Sequence, residues 1–541
     1  HMRGDKSENI IAEQRYIQID KICRQCKKSA GIHGKGISDK IDDIVTNKYL
    51  AYPIFIIVMT LIYSLSMGGI SRNASEFISS GIFGEGWHLF GIGTSEYNTA
   101  LEEYKTAEAI ISEFEKDGTA HSKIIYVKKE NNTSQKLAAT REDYEKALNV
   151  QRPIPQNYGI WVPGFQTLIP SALSRINCSQ DITDLVCDGI INGVGSVLGF
   201  IPQMLILFLC LSLLESCGYM SRIAFVMDKL FRKFGLSGKS FIPLLIGTGC
   251  SVPGIMSSRT IENESDRRMT IMTTSFIPCG AKLPVIAMIS TALFGGAWWI
   301  APSAYFAGVV AVVLSGIILK KTRPFISEPA PFVMELPPYH MPTFKNLMHS
   351  MWERGSSYIK KAGTIILLAS IGIWTFSHVG FVGGSLTLDI NMALEMSILG
   401  VIGKGVSVIF TPLGFGNAKA SVATLMGILA KEEIVGVFGV LDFESMTKLS
   451  AYSFLMFNLL CAPCVAAIGA IRREMNSPKW TLAAIGYQCG LAYSVSLMIY
   501  QFGMMLVGRG NLIGIIAAFA VLAVFVFLII RKPSAVKGTK A

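Results

Sequence analysis

Two cysteines sit where the chain cannot hold regular helix. From Gly247 the sequence reads GTGCSVPGIMSSRT, and after a short charged loop it reads MTIMTTSFIPCGAKLPV. Cys250 lies among glycines and Pro253, and Cys279 lies between Pro278 and Gly280, with Lys282 and Pro284 just beyond. A thiolate is a soft ligand suited to transition metals. The backbone beside it can contribute, because proline has no N–H and crowds the carbonyl four residues earlier. By that rule Pro253 frees the carbonyl of Gly249, Pro278 that of Thr274, and Pro284 that of Gly280. Freed carbonyls and a thiolate at one depth make a transient cation site. The bland reading of the same spacing is a pair of kinked helices packed through small residues, with buried and inert thiols. Spacing alone does not choose between them.

Other groups could join such a site. Cys461-Ala-Pro-Cys464 interrupts a later apolar run, and Lys431, Glu432 and Glu433 interrupt the one before it. Cys461 and Cys464 also read as a redox pair, the mark of a membrane thiol oxidoreductase. Glu215 ends an apolar run that begins near Ile201, and Cys217 follows it. Ser212, Glu215 and Tyr219 share one helical face by spacing. An ionisable group at membrane depth is a functional hypothesis; the alternative is an interfacial glutamate held by Arg222. Cys23 and Cys26 form a CxxC, but zinc would need two more ligands and only His33 is near, so the pair is read as incidental. Gly238-Lys239-Ser240 imitates the end of a P-loop. The glycine required five positions earlier is Lys233, and no strand precedes it, so no nucleotide site is expected.

The elements that carry these groups are membrane helices. Of 541 residues, 51% are hydrophobic and 16% charged, against about 25% charged in soluble domains. Several apolar runs approach the roughly 20 residues that span a bilayer. The net charge of +11 does not argue for nucleic acid, because the basic residues cluster at the ends of apolar runs, as cytoplasmic anchors do. Lys40 and Lys48 before the first span, Tyr49 to Met67, put the N-terminus in the cytoplasm. The polar stretch after it, with helices expected near 97–116 and 134–149, then lies outside. A second span runs from about Ile190 to Cys217, followed by an amphipathic helix from Met220 to Ser240. Phe241 to Met256 is too short and broken to span, and is read as re-entrant from the cytoplasm. Spans follow near 269–293, 301–319 and 362–379. The plan then recurs: a helix at 390–410, a break at Pro412–Gly416, apolar segments at 420–440 and Ser450 to Ile471, then spans near 480–503 and 512–530. The fold class is therefore an all-α polytopic membrane protein. It has about eight transmembrane helices plus two re-entrant gate segments in an inverted repeat, with both termini inside. Many secondary transporters share that plan, with the site between the broken elements near midplane.

The expected divisions are 1–35, the tail of a cytosolic helical domain; 36–68, an amphipathic helix and the first span; and 69–185, an extracytoplasmic loop region. Next come 186–320, a first gate repeat; 321–361, a cytoplasmic loop; 362–475, a second gate repeat; and 476–541, the last two spans and a tail.

The run LLESCGYMSRIAFVMDKLFRKFGLSGKSFIPLLIGTGCSVPGIMSSRTIENESDRR resembles the membrane domain of the FeoB ferrous-iron transporter family, as do SFIPCGAKLPV, MELPPYHMPT, KKAGTIIL, GILAKEE and APC. The resemblance covers about residues 36–531, and 10–35 more loosely. It implies Fe(II) import across a bacterial inner membrane, with Fe(II) as the transported substrate. Members carry an N-terminal GTPase and then a small helical domain. Residues 3–35 resemble only the end of that helical domain and no Walker A motif occurs, so the resemblance implies a chain whose GTPase is missing and which is no enzyme itself. It also implies a small cytosolic partner of the iron-transport system and a possible homo-oligomer. By motif, Cys250, Cys279 and Cys464 match gate cysteines, Glu215 matches the glutamate before Gly-Tyr-Met, and Lys431-Glu432 the Ala-Lys-Glu motif. Cys217 and Cys461 complete the candidate metal ligands. The sequence departs from the family where Ser216-Cys217 replaces Asp-Ser, where Lys282 stands for the usual arginine, and where Ala418 stands for a common tryptophan. Thiolate and carboxylate ligands also admit Zn(II) or Mn(II). A nucleoside-type carrier shares the broken-helix plan, but calls for amide and aromatic side chains rather than thiols.

Overall fold

The computed structural model describes residues 37–531 apart from 117–121, 129–133, 326–337, 383–384, 389–395, 436–445 and positions 48, 177, 430 and 432, together with 18, 19 and 22. All but those three residues of the helix expected over 3–30, the Cys23–Cys26 pair and Glu432 therefore lie outside the described residues.

The chain opens with the amphipathic helix α1 (Ile37–Val45) and the first apolar helix α2 (Ala51–Met67). In the polar stretch that follows, α3 (Thr94–Lys116) falls where a helix is expected. The second expected helix is shorter than its sequence suggests. Residues 134–140 form a strand, β3 (Ser134–Thr140), paired antiparallel with β2 (Ser122–Lys128), and helix α4 begins only at Arg141 (Arg141–Ala147). The β-branched run in SKIIYVK supplies a strand that captures SQKLAAT as its partner, overriding the helix preference of its alanines. β1 (Gly86–His88) pairs with β4 (Trp161–Pro163) at the base of this region.

The membrane part is a set of helices that stop and restart. The span expected over 190–217 is built of two pieces, Asn192–Gly199 and α5 (Ile201–Ser216), with Pro202 in the first turn of α5, where its missing N–H costs nothing. Gly218, at φ +84°, then turns the chain by 77° into α6 (Tyr219–Lys233). That left-handed conformation is open to glycine without strain, and it takes Tyr219 off the face it was expected to share with Ser212 and Glu215. Arg222, 1% exposed, fastens the bend. Its guanidinium donates to the Gly218 carbonyl (2.8 Å) and to both carboxylate oxygens of Asp42 on α1 (2.5 and 3.1 Å). It also lies 3.8 Å from the ring centre of Tyr339, whose own N–H reaches Ser38.

The first broken segment is a hairpin of α7 (Phe241–Gly249) and α8 (Ser251–Ser257), with the extended residue Cys250 at its tip. The two arms touch at glycines: a Cβ on Gly254 would lie 2.8 Å from the Cα of Gly247 and from the carbonyl oxygen of Pro243. Asn263 caps α9 (Glu264–Thr274) by accepting from Ser265 and Asp266. The chain is non-helical from Ser275 to Cys279, then passes through a single 3-10 turn into α10 (Leu283–Phe294). So the span expected over 269–293 is also two pieces. α11 (Ile300–Lys320) and the 35-residue α12 (Phe344–His378) follow.

The second half repeats the plan. α13 (Ile398–Phe410), capped by Ser397, and α14 (Ala418–Leu429) meet at 99° around Thr411–Asn417. α15 (Lys448–Leu460), capped by Thr447, breaks at Cys461–Cys464 before α16 (Val465–Met475). α17 (Pro478–Leu506) and α18 (Leu512–Ile530) complete the described chain. Among the described residues five helices are long and apolar enough to cross a membrane, or up to seven if each bent pair is one span. The chain is a multi-pass, all-α membrane protein with bent and broken elements in both halves. One apolar core joins the halves, with Phe276 and Ile289 from the first packed in the same cluster as Phe415, Phe454 and Ile471 from the second.

Candidate functional site

Helix breaks leave backbone carbonyls without partners, and in a membrane these must be satisfied by protein. The prolines here act differently from the rule used above. Pro253 and Pro284 sit in the first turns of α8 and α10, so they begin new helices rather than kink old ones. The carbonyls at the breaks are taken by long polar side chains. Lys282, 3% exposed, donates from Nζ to the carbonyls of Ser275 (2.8 Å) and Leu459 (2.7 Å), the ends of the broken span in each half. Gln488 on α17 donates to the Met272 carbonyl and to Ser275 Oγ, and Gln501 to the Pro412 carbonyl at the bend between α13 and α14. Lys431, 2% exposed, donates from Nζ to Cys461 Sγ at 3.2 Å.

These bonds frame one cavity of about 80 Å³. Cys250 reaches it from the hairpin tip, Cys279 from the break before α10, and Cys464 from the break before α16. Phe200, Gln203, Met204 and Leu207 at the start of α5 form a fourth wall, and Lys282 and Lys431 complete the lining. The volume is enough for an ion and several waters, a water needing about 10–15 Å³. It is far below the roughly 300–1,000 Å³ that encloses a small organic ligand. Among the described residues no three His, Cys, Asp or Glu side chains converge into a ready metal cluster. The three thiols thus share a cavity without forming a closed cage.

The other candidates lie elsewhere. Cys461 is 2% exposed, is absent from the cavity lining, and is held by Lys431. Glu215 is exposed and pairs with Arg354 of α12 at 2.7 Å, not with Arg222. It stands eight residues beyond Leu207, about 12 Å along α5 at the helical rise. Cys217 Sγ donates to the Leu214 carbonyl at that same end. In the P-loop imitation, the Gly238 N–H is taken by Asp228 and the Lys239 ammonium by Glu262 at 2.8 Å. That ion pair holds the exposed Glu262 carboxyl below its usual range, first through the hydrogen bond and then through the charge. Sequence reasoning gave Lys282 no structural role and passed over Gln488, Gln501, Phe200 and Gln203. The available signal was two glutamines inside the apolar run of α17, each of which must find a partner in lipid.

The profile of the Gate family, described as nucleoside recognition, matches residues 197–293 and 359–478, and that of the ferrous iron transport protein B C terminus matches 301–354. The Fe(2+) transporter FeoB of Staphylococcus aureus (strain COL) is 40% identical over 365 residues, covering 65% of this chain and 54% of the relative. That of Methanocaldococcus jannaschii is 33% identical over 434 residues, covering 76% and 64%. An Fe(2+) transport protein A/Fe(2+) transporter FeoB fusion protein of Porphyromonas gingivalis is 31% identical over 554 residues, covering 92% and 55%. The chain thus spans between about half and two thirds of the length of these curated relatives. No solved structure matches it.

Proposed function

We propose that the chain is a counterpart of the membrane part of the FeoB family and that it conducts Fe(II) through the cavity of Cys250, Cys279 and Cys464. The observation that carries the proposal is that three cysteines from three separate helix breaks line one small cavity. An ion in transit needs ligands that bind well enough to strip water and weakly enough to release it. Thiols supplied from three elements of two halves suit that need better than a closed four-sulfur cage. A nucleoside is too large for this cavity. A redox pair is ill served by a Cys461 held beneath it by Lys431. The metal is taken as Fe(II) over Zn(II) or Mn(II) on the family's evidence, since softness alone does not separate them.

In this reading both termini are cytoplasmic, the membrane is the bacterial inner membrane, and a GTPase supplies energy or gating. The fused relative's name supports a small transport protein A as partner. Glu215, Cys217 and Cys461 are left out of the ligand set, supported by the partners described above. Glu432 stays a candidate ligand on its motif alone.

The test is anaerobic Fe(II) uptake into sealed vesicles holding the purified chain, with and without added GTPase, beside the thermal stability of the chain with Fe(II), Zn(II) and Mn(II). Fe(II)-dependent stabilisation and uptake above protein-free vesicles are expected. Neither effect, with GTPase present, overturns the reading. Glu215→Gln is a separate check. An exposed ion pair contributes about 0–1 kcal/mol, so this variant should lose at most that much stability and keep its Fe(II) affinity. A clear drop in affinity would return Glu215 to the ligand set.

A further inference from the structure

The thiol cavity has a larger neighbour. A second cavity of about 720 Å³ is lined by Arg72, Glu76, Gln203, Trp374 and Glu433 among others. Phe200 and Gln203 face both cavities. Two further stretches cross the partition in the same manner, one from each half. Lys282 lines the thiol cavity and Pro284, two residues on, lines the larger one; Lys431 lines the thiol cavity and Glu433, two residues on, the larger one. The partition therefore carries ammonium groups on its inner side and a carboxylate on its outer side.

Glu433 is half-buried and has neither a hydrogen-bond nor an ion-pair partner among the described residues. The arginine of the same wall, Arg72, is already paired with Glu76 at 3.2 Å. A carboxylate at membrane depth is costly unless it is solvated, paired or coordinating. Its position also meets an electrostatic need. The two inner ammoniums repel an approaching cation, and a carboxylate just ahead of them offsets that repulsion and raises the local cation concentration.

We propose that the larger cavity is an entry vestibule for a hydrated divalent cation, with Glu433 as its capture carboxylate and Phe200 and Gln203 as the constriction where the ion sheds water before reaching the thiols. This deepens the cation-transport reading above and rests on it. A hard oxygen ligand meets the hydrated ion first, and soft sulfur ligands meet it once it is stripped, which orders selectivity along the path. A single carboxylate binds weakly enough to pass the ion on.

The experiment has two arms, both on the whole chain in lipid vesicles. In the first, the Fe(II) concentration for half-maximal uptake is measured. Glu433→Gln should raise it about tenfold, the low end of electrostatic steering, with the maximal rate nearly unchanged, and Glu433→Asp should restore it. In the second, which needs no iron, modification of Cys279 by a cationic and by an anionic methanethiosulfonate is followed by mass spectrometry. Glu433→Gln should slow the cationic reagent relative to the anionic one, Glu433→Asp should not, and Phe200→Ala should speed both. If wild type takes up no iron but the charge-dependent labelling holds, the vestibule stands and the transport reading fails. A labelling ratio unchanged by Glu433→Gln overturns the vestibule whatever the uptake shows, and so does an unchanged half-maximal concentration.

Discussion

Replacing Cys250 and Cys279 together by serine is expected to reduce the initial rate of Fe(II) uptake at least about a hundredfold, and each single change at least about tenfold. The reasoning starts from the ligand atom. A serine hydroxyl gives up its proton far less readily than a thiol, so the substitution exchanges a soft, polarisable sulfur ligand for a neutral, hard oxygen at nearly the same place. Removing a partner that only orients a metal ligand already costs about 10–100-fold, and these cysteines are proposed to be ligands themselves. The two thiols come from different elements, the hairpin tip and the α9–α10 break, so neither change should displace the other. The losses should then multiply. The measurement is uptake at equal protein density in vesicles, with the melting temperature as a folding control. Wild-type rates in both single variants and in the double one would remove the thiols from the path.

Lys282→Met should come close to that loss by a different route. The ammonium ties the Ser275 carbonyl of one half to the Leu459 carbonyl of the other. Hydrogen bonds to a charged group contribute about 1.5–3 kcal/mol each, and a buried carbonyl left bare costs about 1–3 kcal/mol. Relief from burying the charge offsets part of this, so the net loss should be smaller than the two bonds together. The effect on transport should be larger than the effect on stability. Without the tie the Cys279 and Cys464 breaks lose the direct polar link between them, and a 1 Å misplacement at a reacting site can cost about a hundredfold. A lower melting temperature and uptake down at least about tenfold are expected. Lys282→Arg, the residue usual in the family, should retain most of both. A Lys282→Met chain that melts and transports like wild type would show the tie to be dispensable.

Local rules made part of this site legible. Gly, Pro and Cys crowded into an apolar run marked the hairpin at Cys250 and the breaks at Cys279 and Cys464, because the cost of interrupting a helix depends on nearby residues alone. What the breaks do with their carbonyls was not legible. Lys282 and Leu459 are 177 positions apart, and no periodicity links them. The pairing of Glu215 was misjudged for the same reason. Arg222 is close in sequence, but a single left-handed glycine at 218 swings it toward Asp42, and an arginine 139 positions away takes its place. In the polar loop, helix-favouring alanines at 138 and 139 were outweighed by a strand partner.

The Arg222 fastening gives α5 the properties of a lever. Its fulcrum is the bend at Gly218, its short arm is the link through Asp42 to α1, and its long arm is a stiff rod of 16 residues, about 24 Å at the helical rise. The far end of that rod carries Gln203 and adjoins Phe200, the residues between the two cavities. Pivoting a rod of that length by about 5° moves its end by about 2 Å. A displacement of α1 would therefore be carried along the rod to the partition, and with it Leu207 and Leu211, which pack the rod against Met59, Ile62 and Leu245.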